Sequence, residues 1–253
     1  TRADQRFTQA TMELLDRQEY VSWKLPKDWH IILTTNPDNG DYNVTSLDVA
    51  QKTRFISVEL KFDVDVWAKW AETAGIDGRC INFLLMHPES ITQRINPRSV
   101  TTFFNAITSI EDFDSNLPLI QMIGEGSVGP EFAGLFTMFI NNKLDRIIGP
   151  KDILEKDTQY VLNTLTHVIG KDDDYRADIA SVLATRLVNY SLNFSTKHSV
   201  PQDMVDRLVV LSTKSDVFTE DLKYRLVKDI INGNKVKFAK LIMNQEVMKM
   251  AIN

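Results

Sequence analysis

Ile31–Leu60 reads IILTTNPDNGDYNVTSLDVAQKTRFISVEL, and the fold turns on how this stretch is divided. Ile31-Ile32-Leu33 with Thr34 and Thr35 is a short apolar run of the kind that forms a fully buried strand. Asn36-Pro37 ends it, because proline cannot donate to a ladder and holds the preceding residue away from the helical region. The Asn36 amide is therefore expected at the carboxyl end of that strand, the end at which open α/β sheets bind ligands. A polar loop, Asp38 to Asn43, leads to a short helix expected over Ser46 to Lys52. Arg54 follows, and then a second strand, Phe55 to Leu60.

The chain of 253 residues has room for one or two domains, with apolar (43%) and charged (25%) fractions that suit a globular protein. The net charge of −5 argues against broad nucleic-acid binding, although a local basic patch fits within an acidic total. One cysteine, Cys80, excludes an internal disulfide framework and fits a reducing compartment. No apolar run approaches the roughly 20 residues that span a bilayer, and the amino-terminal residues show no leader pattern. These readings give the expectation of a cytoplasmic protein that does not enter a membrane. His30, His87, His167, His198 and Cys80 lack zinc-ligand spacing, and no metal site is expected.

Upstream of the strand, Asp4 to Gln18 carries Phe7, Ala10, Leu14 and Leu15 at helical spacing, with Asp4 placed to cap the first turn. Glu19 to Leu25 then changes period, with Tyr20-Val21-Ser22-Trp23 reading as a short strand and Pro26-Lys27-Asp28 as a turn before the next strand. Downstream, from Asp63, the pattern becomes helical. Val66, Trp67 and Trp70 share a face, Gly75 to Gly78 breaks the chain, and Ile81 to Met86 forms the next apolar segment. Asn96-Pro97-Arg98 opens a helix, with asparagine as the cap and proline in the first turn.

Beyond Asp114 lie apolar segments at Leu117 to Ile123 and Pro130 to Ile140, separated by a glycine-containing break. Amphipathic stretches follow at Asp157 to Ile169, Asp174 to Tyr190, Pro201 to Leu211, Thr219 to Ile231 and Lys235 to Met250. Gly124-x-Gly126-x-x-Gly129 matches a dinucleotide fingerprint in spacing only, since no βαβ unit surrounds it, and a turn between helices explains it better. Lys171-Asp172-Asp173-Asp174 reads as the start of a helix, where carboxylates are favoured. No fixed repeat period is present.

Thr-x-Asn36-Pro37, a loop with a tyrosine, Leu47-Asp48-x-Ala50 and Arg54-Phe55, preceded by a small hairpin and followed by Asn96-Pro97-Arg98, resemble the second half of a MoxR-type AAA+ ATPase. The resemblance implies an α/β remnant of the nucleotide-binding core over residues 1–60, comprising the sensor 1 strand and the strand after it. A helical lid over 61–114 and an all-helical extension over 115–253 would follow, making the whole predominantly α. It further implies that Asn36 is sensor 1, orienting the attacking water, that Arg54 is a finger reaching a neighbouring subunit's site, and that Arg98 is sensor 2, meeting the γ-phosphate from the lid. Arg2-Ala3 matches the residues after Walker B, so the phosphate-binding loop is expected upstream. The pattern Gly-x-x-x-x-Gly-Lys-Ser/Thr is absent here, and the piece is expected to be inactive alone. ATP and Mg²⁺ would be ligands of the complete enzyme, its partners other copies in a hexameric ring, and its clients proteins, with a von Willebrand A domain protein as a possible collaborator. Such amide and guanidinium groups suit phosphoryl transfer because an arginine meets the charge spread over the γ-phosphoryl oxygens, and an amide both donates to and accepts from water. The competing reading is a helical adaptor that binds protein partners without nucleotide chemistry, with Asn36 a turn residue, Arg54 paired to Asp48, and Arg98 an exposed helix residue.

Overall fold

The computed structural model describes residues 11–12, 14–36, 49–92 and 95–252, and the chain divides into two compact units, residues 1–61 and 62–253. In the first unit, residues 11–12 and 14–17 are helical and lead into an antiparallel hairpin of β1 (Glu19–Tyr20) and β2 (Trp23–Lys24), so Tyr20–Trp23 is not one strand: Val21-Ser22 is the turn, with Val21 at positive φ. Glu19 faces Lys24 in the register, and their side chains pair at 3.1 Å. The other regular element among the described residues of this unit is α1 (Val49–Lys52), the described part of the helix expected over Ser46 to Lys52.

The two strands expected at Ile31–Thr35 and Phe55–Leu60 are not formed, and β1 and β2 make up the one sheet among the described residues. A strand persists only when its N–H and C=O groups are paired in a ladder, and neither segment has a partner strand here. Their apolar side chains lie open instead: Ile32 is 83% exposed, Ile56 96%, Val58 76% and Leu60 92%. The α/β remnant is therefore not observed, whereas the predominantly helical character of the chain is.

The second unit contains α2 (Val64–Ala74), α3 (Gly78–Met86), α4 (Pro97–Ile107), α5 (Leu117–Val128), α6 (Pro130–Asn141), α7 (Pro150–Glu155), α8 (Thr158–Ile169), α9 (Ala177–Lys197), α10 (Gln202–Val209), α11 (Glu220–Gly233), α12 (Ala239–Ile242) and α13 (Gln245–Ile252). Local chemistry sets many of the starts. Asp63, Asp77 and Asp157 accept from backbone amides of the first turns of α2, α3 and α8. Asn96 accepts from the Arg98 and Ser99 amides, both at 3.0 Å, with Pro97 occupying the first helical position. Gly75 closes α2 in the left-handed conformation.

The glycine-containing break falls later than expected. Gly124 and Gly126 lie inside α5, and the chain turns at Gly129. A Cβ on Gly124 would come within 2.9 Å of the Ala133 Cβ, so the missing side chain is what lets α5 and α6 pack closely. The long segment expected over Lys235 to Met250 is interrupted at Asn244, whose Oδ1 accepts from the Glu246 and Val247 amides and starts α13 afresh. The aspartates at 172–174 make no cap bond to α9. They occupy a 3₁₀ turn of their own, and α9 begins after Arg176.

Two apolar cores lie in this unit. The first runs from Trp67 to Ile140 and centres on phenylalanines, with the Phe136 ring 4.9 Å from Phe83 and 5.3 Å from Phe103, both edge-on. That geometry places the positive ring edge on the negative face and adds to the burial of large apolar surface. The second core, Ile147 to Val247, is mainly aliphatic, with Leu165, Leu183, Leu187, Leu208 and Leu226 buried in it beside Phe218 and Phe238. Arg207 in α10 donates to the Ile153 and Lys156 carbonyls at 2.8 and 2.6 Å, satisfying acceptors that the short helix α7 leaves open.

Candidate functional site

Asn36 is exposed and lies in extended coil, with the Thr35 hydroxyl donating to its carbonyl at 3.2 Å. Pro37 to Asp48 and Arg2-Ala3 lie outside the described residues, and with them the loop and the post-Walker match. Arg54 is exposed, and its Nε donates to Asp16 at 2.6 Å, a partner 38 residues earlier. That hydrogen bond holds the Asp16 carboxyl below its ordinary range. Asp48, the partner the competing reading gave to Arg54, is among the undescribed residues.

Arg98 sits in the first turn of α4, exposed, and its guanidinium has no hydrogen bond or ion pair among the described residues. A cation in the first turn opposes the helix macrodipole, which favours anions there. Asn96 already occupies the Arg98 and Ser99 amides, so an anion arriving at this helix end would meet the guanidinium rather than a row of open N–H groups. Asn36 and Arg54 belong to the first unit and Arg98 to the second.

Polar groups that the sequence reading passed over are buried in the second unit. Arg186 in α9 donates through Nε to Glu72 at 2.6 Å, and through an Nη to the Asn82 amide oxygen at 3.0 Å and the Gly78 carbonyl at 3.2 Å. Both partners of the ion pair are nearly inaccessible, the side chains 6% and 9% exposed. The sequence signal was a charged residue set among the apolar positions of α9, but its partner lies 114 residues away.

Arg79 fixes a second cluster. It makes a close ion pair with Asp77, donates to the Ile110 and Glu111 carbonyls at 2.8 and 2.7 Å, and lies 3.5 Å over the Phe113 ring. Nearby, the buried Asp145 leaves Oδ1 without a partner, and burial, with the negative charge of Asp114 adding to it, pushes its carboxyl up. Lys143 and Arg146 both turn to Asp114 instead. Cys80 is fully buried and free, and burial raises its thiol well above the ordinary value, which makes it a packing residue rather than a nucleophile.

A cleft of about 310 Å³ runs between α2, α9 and α11, with Val188, Leu192 and Leu226 as apolar lining and Lys69 and Arg225 among its charged lining residues. Asn189 also lines it, and its Nδ2 is buried without a partner. Among the described residues no group of three or more His, Cys, Asp and Glu side chains is placed to hold a metal, and no helix is long and apolar enough to cross a membrane. Compared with protein-family models, with curated proteins and with solved structures, the chain matches none.

Proposed function

We propose that these residues belong to a MoxR-type AAA+ ATPase, supplying part of the γ-phosphate end of an ATP site shared between subunits. The observation that carries the reading is Arg98: a permanently charged fork, exposed and unpartnered among the described residues, held at a helix start where an anion is the favourable occupant. Two further features support it. Arg54 is surface-exposed, as a group acting on a neighbouring subunit must be. Ile56, Val58 and Leu60 leave alternate apolar positions open, as a strand awaiting a sheet would.

The residues present suit the γ-phosphoryl oxygens, while the glycine-rich cradle and the Mg²⁺ ligands have no counterpart in this sequence. Bound MgATP would supply the phosphoryl group to be transferred. In this reading Arg98 fixes the terminal phosphate from the helical side, Asn36 orients water through its amide, and Arg54 neutralises charge in trans, so that turnover requires an assembled ring. Hydrolysis would drive the remodelling of partner proteins.

The test is kinetic, on the complete gene product. Arg54→Ala should lower turnover by about 10³-fold or more while ATP binding stays measurable. Arg98→Ala should weaken both. Normal turnover in the Arg54 variant removes the assignment. The adaptor reading draws on the cleft between α2, α9 and α11 with its unpaired Asn189 amide. It would be favoured by a gene product that neither binds nor hydrolyses ATP.

A further inference from the structure

Four exposed lysines lie near one end of the longest described helix. Lys197 is in the last turn of α9, and Asn234 donates to Ser195 of the same helix end at 3.1 Å, anchoring the segment that follows α11. That segment presents Lys235, Lys237 and Lys240 to solvent, none of them ion-paired among the described residues, while Phe238 and Leu241 beneath are fully buried. Between the lysines Val236 is 85% exposed, and Met243 beyond them is 74% exposed. Exposed acids on the neighbouring helices include Asp203 and Asp206 on α10 and Glu246 on α13, the last paired with Lys249, and none pairs with these lysines.

The opposite end of α9, about 30 Å away along 21 residues, carries three aspartates beside one exposed lysine, Lys171. Asp172, Asp173 and Asp174 are all exposed and unpaired among the described residues. Arg176, the arginine at that end, is taken by Asp178, which it grips through two nitrogens at 3.0 and 2.6 Å. The acidic turn is held in a set shape. Gly170 has φ +77°, and a Cβ there would lie 2.3 Å from the Asp174 carbonyl oxygen. The Arg176 amide also donates back to the Ile169 carbonyl at 2.6 Å. Complementing the α9 dipole needs a charge within the terminal turn. It does not call for three lysines on a loop with an apolar residue set between them.

From this placement we infer that the Lys235–Lys240 loop docks on the Asp172–Asp174 turn of a second copy of the chain. The contact joins unlike surfaces at opposite ends of one helix, so it is heterologous, and repetition of it builds a ring or a filament rather than a closed pair. Val236 and Met243 supply the apolar part that a lysine–aspartate contact alone lacks, and the charges set register and partner choice. Copies carrying equal net charge still associate because the opposed ends meet within a Debye length. The inference does not rest on nucleotide chemistry and holds for this chain without ATP.

The experiment is sedimentation of the 253-residue chain, nucleotide-free, at about 0.1 M and about 1 M salt, between which the screening length falls from about 10 to about 3 Å. Assembly is expected at the lower salt and its loss at the higher. Lys235→Glu, Lys237→Glu and Lys240→Glu together should weaken self-association by about tenfold or more, as should Asp172→Lys, Asp173→Lys and Asp174→Lys together. Mixing the two reversed variants should restore it, because each then offers one unreversed end or a matching pair of reversed ends. Circular dichroism checks that each variant is folded, and Lys→Gln versions replace any that are not. A monomer at both salts overturns the inference, as does assembly indifferent to both sets or no recovery on mixing. Loss of nucleic-acid capture in the lysine variant, with sedimentation unchanged, would assign the loop to phosphates and also overturn it.

Discussion

Removing the Glu72 carboxylate should expose how firmly α2 and α3 are tied to α9. In Glu72→Ala the Arg186 guanidinium stays buried, with the Asn82 oxygen and the Gly78 carbonyl still accepting, but with no counter-charge in contact. Breaking one side of a buried pair costs about 3–5 kcal/mol, and the two retained acceptors place this case near about 3 kcal/mol. Swinging the guanidinium into water would relieve the cost, but it is hemmed in on one side, since a Cβ on Gly78 would lie 2.7 Å from an Arg186 Nη. Replacing both residues, as Glu72→Met with Arg186→Met, removes the charges together and should be close to neutral. The double-mutant cycle, run with Glu72→Met and Arg186→Met as its single variants, then gives a coupling larger than the loss from either one alone. Urea unfolding followed by circular dichroism measures it. With a slope of about 1–3 kcal/mol/M, Glu72→Ala should move the midpoint down by about 1 M or more. A shift under about 0.3 M, or a double variant as unstable as the single ones, would refute the argument that the uncompensated charge is the source of the loss.

Asp145 should behave in the opposite sense. Its carboxyl is raised above the ordinary value of 3.8 by burial, so the folded state binds its proton more tightly than the unfolded state, and the ionised form weakens the fold at neutral pH. Asp145→Asn should therefore stabilise by about 1 kcal/mol at pH 7, and that advantage should fade as pH falls through the raised value; an advantage that persists unchanged in acid would rule out ionisation as its cause. Gly170→Ala should destabilise by about 1–3 kcal/mol in the same unfolding assay, because the new Cβ would strike the Asp174 carbonyl at a positive φ; a neutral result would show that the turn relaxes freely.

Much of the helical framework was legible in the residues themselves. Asn96-Pro97 announced α4 because a cap and a first-turn proline are satisfied by atoms within a few residues, and the Asp157 start of α8 was readable for the same reason; the hairpin turn was not, because Val21-Ser22 lies inside the stretch read as one strand. The apolar spacing of residues 179–187 likewise defined the buried face of α9 before its neighbours were known. Of the three candidate site residues, the sequence supplied the types and their order, and the fold showed each of them exposed.

Tertiary structure decided what depends on atoms distant in sequence. Ile31–Thr35 and Phe55–Leu60 have the composition of strands but lie unpaired, because a strand is defined by a neighbour's hydrogen bonds and not by its own side chains. Gly124 reads as a break and instead serves a helix contact, because what matters there is the 2.9 Å approach of Ala133 from the next helix. Arg54 turned to Asp16, Arg186 found Glu72 far earlier in the chain, and Asp172–Asp174 formed a 3₁₀ turn of their own rather than a helix cap. Caps and periodicity act over a few residues, so one strand of text contains them. Pairing and burial are settled only when the folded chain brings its separate segments together.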